Sequence, residues 1–268
     1  MTEPALIAAA SAGDEAAFRD LAEQYRRELH VHCYRMLGSV HDAEDALQET
    51  LLRAWRHLAS FQGRSSFRAW LYRIATNVCL AALGSRPEPN ATVEPGVLTP
   101  YPDAWLDELS SENAEPGARY DLRESVQLAL LTAIQTLPPR QRAALLLRDV
   151  LGFSAKEVAQ LLDVSSTSVH SAVRRARATL ERHAPDRSPT TDDVQRSLVQ
   201  RYIDAWEAAD IPGLVALLRE DAVTTMPPDP AVFLGRQAIA HFFATVPADG
   251  KLDKIPLLPT RANRQPAV

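Results

Sequence analysis

The chain has 268 residues, 46% of them apolar and 24% charged, with a formal net charge of −5. That length suggests about two domains, and the composition is that of globular protein rather than a disordered chain. No run reaches the ~18 apolar residues of a membrane helix, and the start M-T-E-P-A-L-I-A-A-A lacks the basic residue and apolar core of a signal peptide, so a cytoplasmic protein is expected with no membrane partner.

The negative total is unevenly spread: residues 1–83 sum to −1, 84–118 to −6, 119–184 to +4 and 185–268 to −2. For a nucleic-acid binder the local footprint matters more than the sum. From Met1 to Gly38 the pattern is helical, with Asp14 as a cap and Ala16, Leu21, Leu29, Val31 and Leu37 as core positions. His30, His32 and Cys33 match no closed zinc spacing and read as packed or surface side chains, so no metal is expected. Cys33 and Cys79 are the only cysteines; unpatterned, they suit a reducing compartment.

Two helical patterns run from Asp42 to Leu83, joined by a loop with Gly63, Ser65 and Ser66. Leu47, Leu51, Ala54, Trp55 and Leu58 make the first apolar stripe, while Asp42, Asp45 and Glu49 share another face. Phe67, Leu71, Ile74, Val78 and Ala82 make the second stripe, leaving Tyr72, Arg73, Thr76 and Asn77 facing outward. Between Thr50 and Leu83 there are five arginines and no acid, interleaved with Trp55, Phe61, Phe67, Trp70 and Tyr72. Arginines for phosphates and aromatic faces for unpaired bases suit single-stranded nucleic acid. The same pattern also fits a solvated helix pair with core aromatics.

Residues 84–118 form an acidic, proline-rich linker, in which Tyr101 and Trp105 read either as an anchor onto a folded domain or as a packed turn. Residues 119–184 make a second unit. Val126, Leu130, Ile134 and Leu137 form a stripe ending at Pro138-Pro139, and Gln141–Val150 a further helix. The following helix-turn-helix pattern has Ser154 and Ser165 as caps, Val158, Leu161, Leu162, Val169 and Val173 inward, and Asp163 at the left-handed turn. Thr167, Ser168, His170, Ser171, Arg174, Arg175 and Arg177 face out, short polar groups first and arginines after, as a major-groove helix requires; a helical hairpin with a solvated basic face is the alternative. Residues 185–268 read as a helix over Val194–Asp210 (Leu198, Tyr202, Ala205 and Trp206 on one side), a short helix over Gly213–Arg219, a strand over Ala222–Met226 and a helix over Arg236–Ala244.

D-A-E-D-A-L-Q-E-T-L-L-R-A-W and F-R-A-W-L-Y-R-I-A-T-N resemble region 2 of bacterial RNA polymerase sigma factors of the extracytoplasmic-function group. The unit entered by L-P-P-R-Q-R-A-A-L-L-L-R resembles their region 4. The resemblance implies that Asp45, Gln48 and Glu49 dock on the clamp helices of core RNA polymerase. It implies that the Ser60–Ser66 loop and the helix from Phe67 (Arg64, Ser65, Arg68, Trp70, Arg73 and Asn77) take the melted minus-ten strand of promoter DNA. It implies also that the outward residues of the second unit read the minus-thirty-five element near the polymerase flap. L-V-Q-R-Y-I-D-A-W-E-A-A-D resembles the start of a SnoaL-like, cone-shaped α+β domain, which some of these factors carry. Fewer than about 80 residues follow for a fold with several strands, so a partial domain is expected, with Val223, Phe233, Phe242 and Phe243 needing a cover from the sigma regions, from the linker around Trp105 or from a second copy of the chain.

The expected fold class is therefore mainly α: a region 2 helical bundle and a region 4 helix-turn-helix joined by an acidic proline-rich linker, plus a partial α+β tail. Three functions compete: a promoter-specificity subunit, a helix-turn-helix regulator with a ligand-sensing C-terminal domain, and a cyclase-type enzyme. Asp42–Leu83 has no use in a repressor. Asp229 and His241, candidates for a general base, read as structural, so neither catalysis nor a cofactor is expected. An anti-sigma partner is neither implied nor excluded.

Overall fold

The computed structural model describes residues 1–85, 99–103, 131, 134–183, 192–226, 229–263 and 265–268. They fall into two compact units, the first reaching to the end of the helix-turn-helix and the second comprising the tail.

In the first unit α1 (Glu3–Ser11) leads into α2 (Glu15–Leu37), whose N-terminus is capped by Asp14 accepting from the amides of Ala16 and Ala17 at 2.9 and 3.1 Å. That cap leaves Ala16 exposed in the first turn and Ala17 buried, so the core register begins one residue later than the sequence pattern suggests. The helix α2 ends at Gly38, which is left-handed at φ 78°. A Cβ there would be strained and would also meet the Gln135 side chain at 3.1 Å. Ser39 caps α3 (Val40–His57), and after a 3₁₀ turn and a short loop comes α4 (Phe67–Ser85).

Further along lie α5 (Pro139–Leu145), a π-turn over Leu146–Val150, α6 (Ala155–Leu162) and α7 (Ser166–His183). Ser154 and Glu157 form a reciprocal capping box on α6. Asp163 takes the left-handed turn at φ 54°, and the Ser165 hydroxyl accepts the Ser168 amide at 3.1 Å to cap α7. The turn works with an aspartate because its short polar side chain tolerates this region of backbone space.

The mainly α fold class stands, but the two helical regions share one continuous apolar core. Leu21, Leu29, Leu47 and Leu71 of the first region belong to the same cluster as Ile134, Leu147, Val158 and Val169 of the second. The sharing explains a difference from the sequence reading: Tyr72 and Thr76, expected outside, are completely buried. The ring of Phe153 packs edge-on against Tyr72 at 5.5 Å, and His32 Nε2 lies 2.9 Å from the Thr76 hydroxyl. Polar groups stitch the same seam. Gln135 donates to the Arg35 carbonyl at 2.9 Å, and the buried Arg142 guanidinium donates to the carbonyls of Met36, Gln135 and Leu137.

One stretch of the linker is described. Thr99 accepts the Val40 amide at 2.7 Å and its own carbonyl accepts the Tyr34 hydroxyl at 2.6 Å. Tyr101 is buried against Tyr34 and His30, its hydroxyl 2.7 Å from His30 Nδ1. Tyr101 is thus an anchor onto the first helical region. Trp105, Val126 and Leu130 lie outside the described residues.

The second unit has α8 (Asp192–Glu207), α9 (Ile211–Ala216), an antiparallel hairpin β1 (Val223–Met226) with β2 (Asp229–Leu234), α10 (Gly235–Thr245) and a second hairpin β3 (Thr260–Ala262) with β4 (Gln265–Ala267). It builds a small core of its own from Trp206, Leu214, Ile239, Phe242, Phe243 and Leu252. Two expectations are corrected by this core. Phe242 and Phe243 are buried, because α10 packs on α9 and Phe243 meets the Trp206 ring of α8; Leu198 is exposed, and the buried residues of α8 are Ile203 and Trp206. Val223 remains exposed and Phe233 half-buried. The Trp206 indole satisfies its N–H on the Ile255 carbonyl at 2.9 Å.

Candidate nucleic-acid interface

On α4 the positions one turn apart, Arg73 and Asn77, are exposed. They are held out because Leu71, Tyr72, Ala75 and Val78 fill the buried sides of the same helix. The preceding loop presents Arg64 and Ser65 to solvent. Trp70 is half-buried in a cluster with Phe61 and Phe67, ring centroids 5.3 and 5.5 Å away. The aromatics of this stretch therefore chiefly pack the loop against the bundle.

Arg68 is held inward. Its Nε lies 3.2 and 3.1 Å from the two oxygens of Glu28, and its guanidinium sits over the rings of Tyr72 (4.9 Å) and Phe153 (5.2 Å). Burial raises the Glu28 carboxyl above its ordinary range and Arg68 pulls it back in part. A guanidinium clamped by a carboxylate and two rings is a structural tie in this arrangement.

On α3, Asp45 and Gln48 are exposed and Glu49 is half-buried. The three lie on the side away from Leu47 and Ala54. The Glu49 charge is partly offset by Arg53, which donates to it at 2.6 Å, and the His41 ring lies 3.8 Å from Asp45. Pairs this exposed are worth little and leave the face available to a partner.

On α7, Thr167, Ser168, His170, Arg174 and Arg175 are exposed and Ser171 half-buried, while Val169, Val173 and Ala176 pack inward. Ser168 shares a 2.8 Å hydrogen bond with Ser165, so its hydroxyl is oriented by the cap. Arg177 differs from its neighbours. It donates from Nε and Nη2 to the two carboxylate oxygens of Asp149, both at 2.8 Å, and this pairing raises its affinity for its proton.

Glu28, Asp149 and Phe153 are partners the sequence reading missed. Each lies 28 or more residues from the arginine it meets, or across the shared core, where periodicity carries no signal. Asp229 lies in β2 and His241 is exposed on α10. Among the described residues no cluster of His, Cys, Asp and Glu could hold a metal, and no helix is long and apolar enough to cross a membrane.

Family models match three stretches: Sigma-70 region 2 over residues 21–86, Sigma-70 region 4 over 127–180 and a SnoaL-like domain over 199–254. Among curated relatives, the ECF RNA polymerase sigma factor SigG of Mycobacterium tuberculosis is 44% identical over 267 residues, covering 91% of this chain and 70% of that protein. The ECF RNA polymerase sigma factor SigW of Bacillus subtilis is 31% identical over 179 residues, covering 65% of this chain and 92% of SigW. Among solved structures, the extracytoplasmic-function sigma factor SigJ of M. tuberculosis shares the fold with a TM-score of 0.62 at 23% identity, over 91% of this chain and 81% of that one.

Proposed function

This chain belongs to the extracytoplasmic-function (ECF) RNA polymerase sigma factors, and from that premise we propose that it binds core RNA polymerase and directs it to promoters through two DNA-reading surfaces. The observation that carries the reading is α7. A doubly capped helix-turn-helix presents hydroxyls, that of Ser168 oriented by its cap, and an imidazole in its first half and arginines in its second, an order that places base contacts before phosphate contacts. Arg73 and Asn77, with Arg64 and Ser65 on the loop, supply the second surface, for the melted strand of the minus-ten element. Asp45, Gln48 and Glu49 supply the contact to the polymerase clamp helices, and the region 4 unit lies at the flap. Arg68 and Trp70 act from behind the minus-ten surface.

The work is recognition, without a reaction of its own. The tail, with its separate core, tunes the output of the first unit. Run-off transcription on genomic fragments, with core polymerase alone and with this chain added, tests the reading. New start sites that require the chain support it, and an unchanged transcript pattern refutes it. Deleting residues 190–268 is expected to change the amount of each transcript while leaving the set of start sites the same.

A further inference from the structure

Arg177 lies on the same side of α7 as His170 and Arg174, at helical spacings of seven and three residues. With Arg148, Val173 and Glu181, these line a cleft of about 400 Å³ between α7 and the π-turn. His170 and Arg174 are exposed at the rim of this cleft. Arg177 has one edge of its guanidinium, Nε and Nη2, on the two oxygens of one carboxylate, an arrangement that fixes orientation as well as charge.

The position of Asp149 is the second observation. It lies in the π-turn, where Leu151 donates to the Leu146 carbonyl five residues back at 3.0 Å. Each residue inserted into a helix rotates the chain beyond it by about 100°. The wider turn keeps Leu146 and Leu147 buried in the shared core and swings Asp149 out toward α7. A regular α-helix would put Asp149 on a different bearing. The turn thus joins two things: a rigid attachment to the core on one side and a bidentate grip on the recognition helix on the other.

We infer that Asp149 and Arg177 form a strut that sets the angle of α7, so that Arg177 is a positioning residue and not a phosphate contact, while His170 and Arg174 meet the DNA. The inference rests on the proposed reading of duplex DNA by α7. A residue that grips DNA phosphate releases a counterion, and its loss lowers the salt dependence of binding by about one unit. A residue that only angles the helix changes discrimination between sequences and leaves that dependence alone.

The test uses the full chain assembled with core RNA polymerase. The probe is a duplex selected from a random pool by the wild-type assembly, compared with a scrambled duplex. Arg177→Gln and Asp149→Asn should each reduce discrimination by about three- to ten-fold, and the double variant should lose no more than either single one, since each removes the same contact. The slope of log affinity against log salt should stay at the wild-type value in all three. Arg174→Ala, in contrast, should lower affinity and reduce the slope or the discrimination. A slope reduced by about one unit in Arg177→Gln, or tighter binding by Asp149→Asn because a phosphate-gripping arginine has been released, overturns the strut. Additive losses in the double variant overturn it too. If Arg174→Ala and Arg175→Ala leave duplex binding unchanged, the reading of DNA by α7 fails, and the strut falls with it. Far-UV circular dichroism of each variant establishes that α7 is still folded; the pair is exposed enough at Arg177 for folding to survive its loss.

Discussion

Replacing Arg142 with methionine removes the polar link across the shared core while keeping most of the side-chain volume. Arg142 is 4% exposed, and its guanidinium serves the carbonyls of Met36, Gln135 and Leu137, the last two at 2.7 and 3.1 Å. The bonds to Met36 and Leu137 are buried ones. A buried acceptor stripped of its donor costs about 1–3 kcal/mol. Relief from burying a charge offsets part of that. The net expectation is a loss of about 3 kcal/mol. Urea unfolding followed by helical circular dichroism should show the main transition about 1–2 M earlier. Arg142→Lys keeps a charge without the planar fork and should fall between the two. A methionine variant within about 0.5 kcal/mol of the parent would refute the reasoning, because those carbonyls would then be satisfied without Arg142.

Burial lowers the His32 imidazole to about 3, well below its ordinary value of 6.5. A folded-state value below the unfolded one means stability that is present above about pH 6.5 and drains as the pH falls toward 3; the loss between pH 6.5 and 5 should be about 2 kcal/mol. His32→Gln, which retains a partner for Thr76, should flatten this limb, and an unaltered acid slope would count against it. Asp45→Arg combined with Glu49→Arg should abolish capture of core polymerase while the helical signal persists; full retention in a pull-down would rule out this face as the docking surface. Asn77→Ala should slow open-complex formation, scored by permanganate footprinting, with little effect on upstream contacts. Arg174→Ala should instead weaken duplex docking, by about 1–3 kcal/mol if it reads a base edge, and equal impairment of one step by both changes would contradict the division of labour.

Much of the candidate interface was legible in the chain. Arg73 and Asn77 lie off an apolar stripe of period 3.6, and Thr167 to Arg175 lie off another, so their exposure follows from helix geometry alone. The caps at Asp14, Ser154 and Ser165 and the turn at Asp163 were equally legible, because each depends on residues within three or four positions. Arg68 and Arg177 carried the same signature of an outward arginine, yet both are tied down. The carboxylates that hold them, Glu28 and Asp149, come from other helices.

Local pattern thus determined the helices, their ends, the helix-turn-helix and the polar faces, since these arise from interactions a few residues long. Tertiary structure decided which polar faces are free. Tyr72 and Thr76 are polar-capable residues off the apolar stripe, and only the arrival of Phe153 and His32 from elsewhere in the chain buries them. The π-turn at Leu146–Val150 belongs to the same class: one extra residue in a turn has no compositional mark, and it is stabilised by what it keeps in the core and what it delivers to Arg177. Phe242 and Phe243 likewise found a core in the tail because α10 packs on α9 and Phe243 meets the Trp206 ring of α8. Burial depends on which surfaces meet, and that is a property of the packed chain that no single helix carries in its own sequence.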